Sequence, residues 1–126
     1  MTNRFAAEHH ELAEAVRAAL SDELRNPPWR GDANRFAGHC YVASEAFFHL
    51  AGGKAAGWKP MNLRHEDSPH WWLLDAEGRI VDLTAEQFKT PVPYAAGVGK
   101  GFLTREPSRR AQVIIDRVKN NRPVLR

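Results

Sequence analysis

The chain has 126 residues, 43% hydrophobic and 26% charged, which suits one globular domain large enough to bury a core and excludes a disordered or fibrous protein. One cysteine excludes an intrachain disulfide, and no apolar run approaches the roughly 20 residues of a bilayer span. The opening MTNRFAAEHHELAEAV carries charges throughout and does not read as a signal peptide, so a soluble cytoplasmic protein is expected.

Net charge is +3, with the excess gathered late in the chain: Arg105, Arg109, Arg110, Arg117, Lys119, Arg122 and Arg126 against Glu106 and Asp116. Such a face is ordinarily solvated. It also suits an acidic partner, with Arg105, Arg109, Arg110 and Arg117 as contacts, and a basic module for nucleic acid or a host protein is the competing functional class.

In chain order, residues 3–25 predict an amphipathic helix through Phe5, Leu12, Val16, Leu20 and Leu24, stopped by Asn26-Pro27-Pro28. His9 and His10 are expected to face solvent. WRGDANRFAGH, residues 29–39, is a loop, and CYVASEAFFHLAGG predicts a second helix ended by Gly52-Gly53. Strands are expected at 55–64, 70–75 and 79–84. Residues 85–101 read as irregular, with Gln87-Phe88 in a short helical turn. Pro107 then opens a terminal helix buried through Ala111, Ile114, Ile115 and Val118. Helix, helix, strands, helix, without βα alternation, predicts a single α+β domain over residues 1–126 with a small, mainly antiparallel sheet.

The stretch SPHWWLLDAEGRIVDLT, residues 68–84, carries the chemistry. Asp75-Ala76-Glu77-Gly78-Arg79 suits a three-residue hairpin loop with glycine at the left-handed position. Asp75 then faces Arg79, Trp72 faces Asp82 and His70 faces Thr84, so His70 and Asp82 become diagonal neighbours on one face. A carboxylate in that place orients an imidazole and stabilises its protonated form. Cys40, at the start of the second helix, meets unpaired amides and a dipole that favour the thiolate. Cysteine, histidine and aspartate together make a complete activation chain for a nucleophile. The bland alternatives are a buried apolar cysteine and a stabilising cross-strand pair.

Cys40 before an apolar helix, HWWL on one strand and GRIVDLT on the next resemble the papain-like, transglutaminase-like cysteine superfamily, which includes NlpC/P60-type peptidases. The resemblance covers about residues 34–88, with Leu83 where a proline often stands; the first helix and the C-terminal tail have no counterpart in it. It implies a papain-like core and a thiol protease or transglutaminase-like acyltransferase, with Cys40 as nucleophile, His70 as general base and acid, and Asp82 as orienting group. An oxyanion donor is implied at Asn34, with His39 as its rival, beside the Cys40 backbone amide. Trp72 and Trp58 are candidates to wall a substrate channel. The substrate implied is a peptide, a glutamine side chain or a small amide, and no cofactor is called for.

Neither CxxC nor HExxH occurs, so no metal site is assigned, although Cys40 and His70 with His65 or Asp82 could serve as ligands. AAGVGKG, residues 95–101, lacks the spacing of a phosphate loop and is expected to be a mobile loop.

Overall fold

A computed structural model describes residues 7–121; Phe5, Arg122 and Arg126, named above, lie outside the described residues. The architecture is α+β, with helices α1 (His10–Ala18), α2 (Cys40–Leu50) and α3 (Arg109–Asn121). Four strands, β1 (Lys59–His65), β2 (Ser68–Leu74), β3 (Ile80–Val81) and β4 (Val98–Gly99), form one antiparallel sheet in the order β3-β2-β1-β4.

α1 is shorter than the 23-residue helix its periodicity suggests. It ends at Ala18, and a separate 3-10 turn at Asp22–Leu24 carries the pattern onward. Ser21-Asp22 favours a local turn over continued helix. Val16, Leu20 and Leu24 are buried all the same. His9 does not face solvent: its Nε2 meets Asp75 Oδ2 at 3.0 Å, and its ring packs edge-on against Trp58.

α2 packs on β2 across one face of the sheet, and α1 and α3 pack against α2. Val16, Ala43, Phe47, Leu73, Val81, Leu83, Ile114 and Val118 form the main core there. Ala111, Ile114, Ile115 and Val118 are buried along α3 as their helical spacing requires. Glu45, fully buried on α2, accepts from the Ser108 amide and hydroxyl, each at 2.7 Å, and so ties α2 to the start of α3. Pro107 precedes that helix rather than forming its first turn.

The other face carries a smaller core of Met61, Trp72 and Val92, joined by Leu74, Ile80, Phe88 and Tyr94. Residues 85–99 supply its cover. Residues 95–101, expected to be a mobile loop, are not a loop throughout: Val98 and Gly99 pair with Asn62 and Met61 as β4. The short strand escaped notice because two residues, one of them glycine, carry no alternating pattern.

The β2–β3 hairpin has the anticipated register, with Leu73 opposite Val81 and Leu74 opposite Ile80. The Asp75 amide donates to Arg79 O at 2.9 Å, and Gly78 sits at φ +78°. Asp75 secures the turn further, its carboxylate accepting from the Glu77 and Arg79 amides and from Arg79 Nε. β3 pairs only with Leu73 and Leu74, so residues 68–72 of β2 have no β3 partner. That open edge is where the site lies.

Candidate functional site

Arg25 shapes the approach to α2. It is 6% exposed, and its guanidinium donates to the carbonyls of Trp29, Asp32 and Asn34 at 2.8–3.1 Å. One buried cation thereby folds the loop over 29–35 around itself. At Gly38, φ is +79° and a Cβ would fall 2.5 Å from that of Trp29, so the return to the helix start requires glycine. Cys40 follows as the first residue of α2. It is 9% exposed and lines a cleft of about 240 Å³ with Trp29, Tyr41, Trp71, Gln87 and Arg110. Its thiol points at Pro69 O, 3.6 Å away, as a weak donor.

His70 and Asp82 are both fully buried, and His70 Nε2 lies 2.7 Å from Asp82 Oδ2. Trp72 stacks on the imidazole and Phe88 meets it edge-on. Asp82 accepts two further bonds, from the Tyr94 hydroxyl at 2.7 Å and from the Thr84 amide at 3.2 Å. With Nε2 committed to Asp82, the other ring nitrogen, Nδ1, is buried and has no hydrogen-bond partner among the described residues. Burial, the largest single influence on His70, lowers its pKa; the bond to Asp82 and interaction with the Cys40 sulfur outweigh it and raise the value to about 9. The ring therefore holds its proton more tightly than a free imidazole, and the sulfur is one of the groups that favour the protonated form.

The remaining predicted residues are placed elsewhere. Asn34 donates through Nδ2 to Glu86 O at 2.9 Å and accepts the Phe36 amide, so its carboxamide is spent on the loop. His39 is 1% exposed, with both ring nitrogens on backbone carbonyls, those of Arg35 and Ser21; burial is the main cause of its lowered pKa. Trp72 is wholly buried behind His70. Trp58 borders a different cavity, with Phe48 and Phe102, and bonds Ala51 O. Trp71 and Trp29 are the tryptophans that line the cleft with Cys40.

Of the basic residues, Arg110 donates to Leu24 O and Arg25 O, and Arg117 to Ala19 O and Ser21 Oγ, while Arg105 and Arg109 are exposed. Among the described residues no group of three His, Cys, Asp or Glu side chains gathers in a metal-holding arrangement, and no helix is long and apolar enough to cross a membrane.

Sequence reasoning missed two residues. Tyr94 lies in a Pro- and Gly-rich stretch with no pattern to mark it. Gln87 looked like an ordinary turn residue, although its place five residues after Asp82 puts it in the same tight turn.

A family model described as YunG protein matches residues 8–121, and the chain belongs to that family. No curated protein and no solved structure matches it. The papain-like, transglutaminase-like and NlpC/P60-type resemblance is thereby corrected: the matching family is a different one, and it takes in the first helix and α3, which that resemblance left without counterparts. A few residues around a cysteine and a histidine strand are too short a pattern to identify a superfamily.

Proposed function

We propose that this member of the YunG family is a thiol-dependent acyl-transfer enzyme, a cysteine hydrolase or acyltransferase, acting on a peptide or small amide. The observation that carries the reading is the buried Nδ1 of His70, without a partner among the described residues, in a ring whose Nε2 is held by Asp82 and which interacts with the only cysteine of the chain at the edge of a cleft. An imidazolium with a proton on Nδ1 needs an acceptor there, and a thiolate supplies one.

Cys40 attacks the carbonyl carbon, forming a C–S bond and a tetrahedral oxyanion. Collapse breaks the C–N bond, and the departing amine takes the Nδ1 proton from His70. Neutral His70 then removes a proton from water or a second amine, which attacks the thioester and releases Cys40. Asp82 keeps Nε2 protonated and the ring fixed, and Tyr94 and Thr84 hold Asp82.

Alkylation by iodoacetamide tests the nucleophile without a known substrate. Cys40 is expected to react at pH 7 well above the rate of a free thiol, and His70→Ala to lower that rate by roughly ten- to a hundredfold, in the range of general acid–base effects. A thiol that reacts at the same rate in both proteins removes the basis for the reading.

A further inference from the structure

We infer that Gln87 supplies the side-chain oxyanion donor of the cleft, a role that rests on the acyl-transfer reading but assigns it a residue outside the cysteine–histidine–aspartate set. Attack on a carbonyl puts negative charge on its oxygen, and that charge needs donors placed in advance. The backbone amide of Cys40 is one such group at the helix start. The two side chains that sequence position suggested for the second are both engaged with the main chain: Asn34 with Glu86 O, and His39 with Arg35 O and Ser21 O.

Gln87 lines the same cleft as Cys40, and its Oε1 is buried without a hydrogen-bond partner among the described residues. An orphaned amide oxygen is costly, about 1–3 kcal/mol, so the carboxamide is not held by the fold in this orientation and is free to turn. Rotation about its last bond exchanges oxygen and nitrogen, so the group can present NH₂ to a carbonyl oxygen in the cleft.

The backbone that carries Gln87 is unusually well held. Its amide closes a 3-10 turn on Thr84 O at 3.0 Å, two residues after Asp82. Arg17, 9% exposed, donates to Leu83 O at 2.9 Å and grips the Glu86 carboxylate through both terminal nitrogens. Asn34 bonds Glu86 O. Leu83 and Glu86 are thus pinned by two distant segments, and Asn34 becomes a positioning residue for Gln87. Phe88, next in sequence, packs on the His70 ring and links the turn to the base.

Two reagents separate the role from the nucleophile. p-Nitrophenyl acetate acylates a thiol through a tetrahedral oxyanion, whereas iodoacetamide alkylates it by displacement at saturated carbon, where no oxyanion forms. Gln87→Ala is expected to slow acylation of the full-length protein by about a hundredfold, the lower end of the cost of losing one donor, and to leave alkylation within twofold. Gln87→Glu keeps the shape but opposes the developing charge and is expected to slow acylation at least as much. Equal acylation by wild type and both variants overturns the assignment, as does parallel slowing of both reactions, which marks a merely structural residue. A wild-type thiol inert to both reagents sinks the acyl-transfer reading itself and the assignment with it.

Discussion

At the scale of single residues, the behaviour of the site turns on His70 and Asp82. Both have no exposed surface, and Asp82 receives three donors: His70, Tyr94 and the Thr84 amide. The His70 pKa rises from 6.5 to about 9 because its bond to Asp82 and its interaction with Cys40 outweigh burial. A raised pKa means that the folded protein holds the proton more tightly than the unfolded chain. The resulting stability is complete below pH 6.5 and is lost as pH rises through about 9. Between pH 6 and 9.5 the wild type is expected to lose up to about 3 kcal/mol from this group, read from urea midpoints. Asp82→Asn is expected to be less stable at pH 6 and to lose much less over the same interval, and equal losses would place the source elsewhere. Pairing of these residues was legible in the sequence because strand alternation puts them on one face once the turn is known. Tyr94 and Gln87 were not, since their roles depend on where residues 85–97 cross the sheet.

At the scale of elements, the β2–β3 turn decides the register and so the pairing. Its signal was readable because glycine occupies the left-handed position after a type I turn, and Gly78 is found at φ +78°. A Cβ at Gly78 meets nothing within 4 Å, so Gly78→Ala isolates the backbone cost. Stability is expected to fall by about 1–2 kcal/mol by chemical denaturation with the register retained, so that Cys40 still labels normally. A larger loss, with labelling abolished, would indicate that the turn had slipped. By contrast, the β1–β2 turn places Glu66 and Asp67 at φ +50° and +62° without any glycine. Its only local mark is Asp67, a residue type that tolerates the left-handed region. The Glu66 carboxylate accepts from the Lys89 and Thr90 amides and the Thr90 hydroxyl, which tie this turn to a segment more than twenty residues away. Such compensation comes from the folded whole and leaves no mark in the turn's own residues.

At the scale of the whole molecule, the cleft exists because segments remote in sequence are locked together. Arg25 is central: 6% exposed, it gathers loop carbonyls, and its own carbonyl accepts from Arg110 at 2.7 Å. The loop and α3 are joined through this residue to the wall that faces Cys40. Arg25→Met keeps the apolar stem and leaves those carbonyls without their donor, with an expected cost of about 2–3 kcal/mol in the urea midpoint. Residues 26–39 would loosen at the same time, and Cys40 would become more accessible to a bulky disulfide reagent such as dithiobis-nitrobenzoate. Unchanged stability would show that the loop holds itself. The sequence offered only an arginine before Asn-Pro-Pro at this point. A long cation has many potential partners, and folding alone selects among them.

Local chemistry in the sequence settled the α+β order of elements, the starts of α2 and the buried stripe of α3, the hairpin register and the pairing of His70 with Asp82. Each follows from helical or strand period and from one glycine's backbone freedom, which act over a few residues. Tertiary structure alone decided that Asn34 and His39 bond the backbone, that Trp29 and Trp71 rather than Trp58 and Trp72 line the cleft with Cys40, and that Gln87 lines it too. Those outcomes depend on which polar groups are left without partners once distant segments meet, and short-range pattern carries no record of that competition.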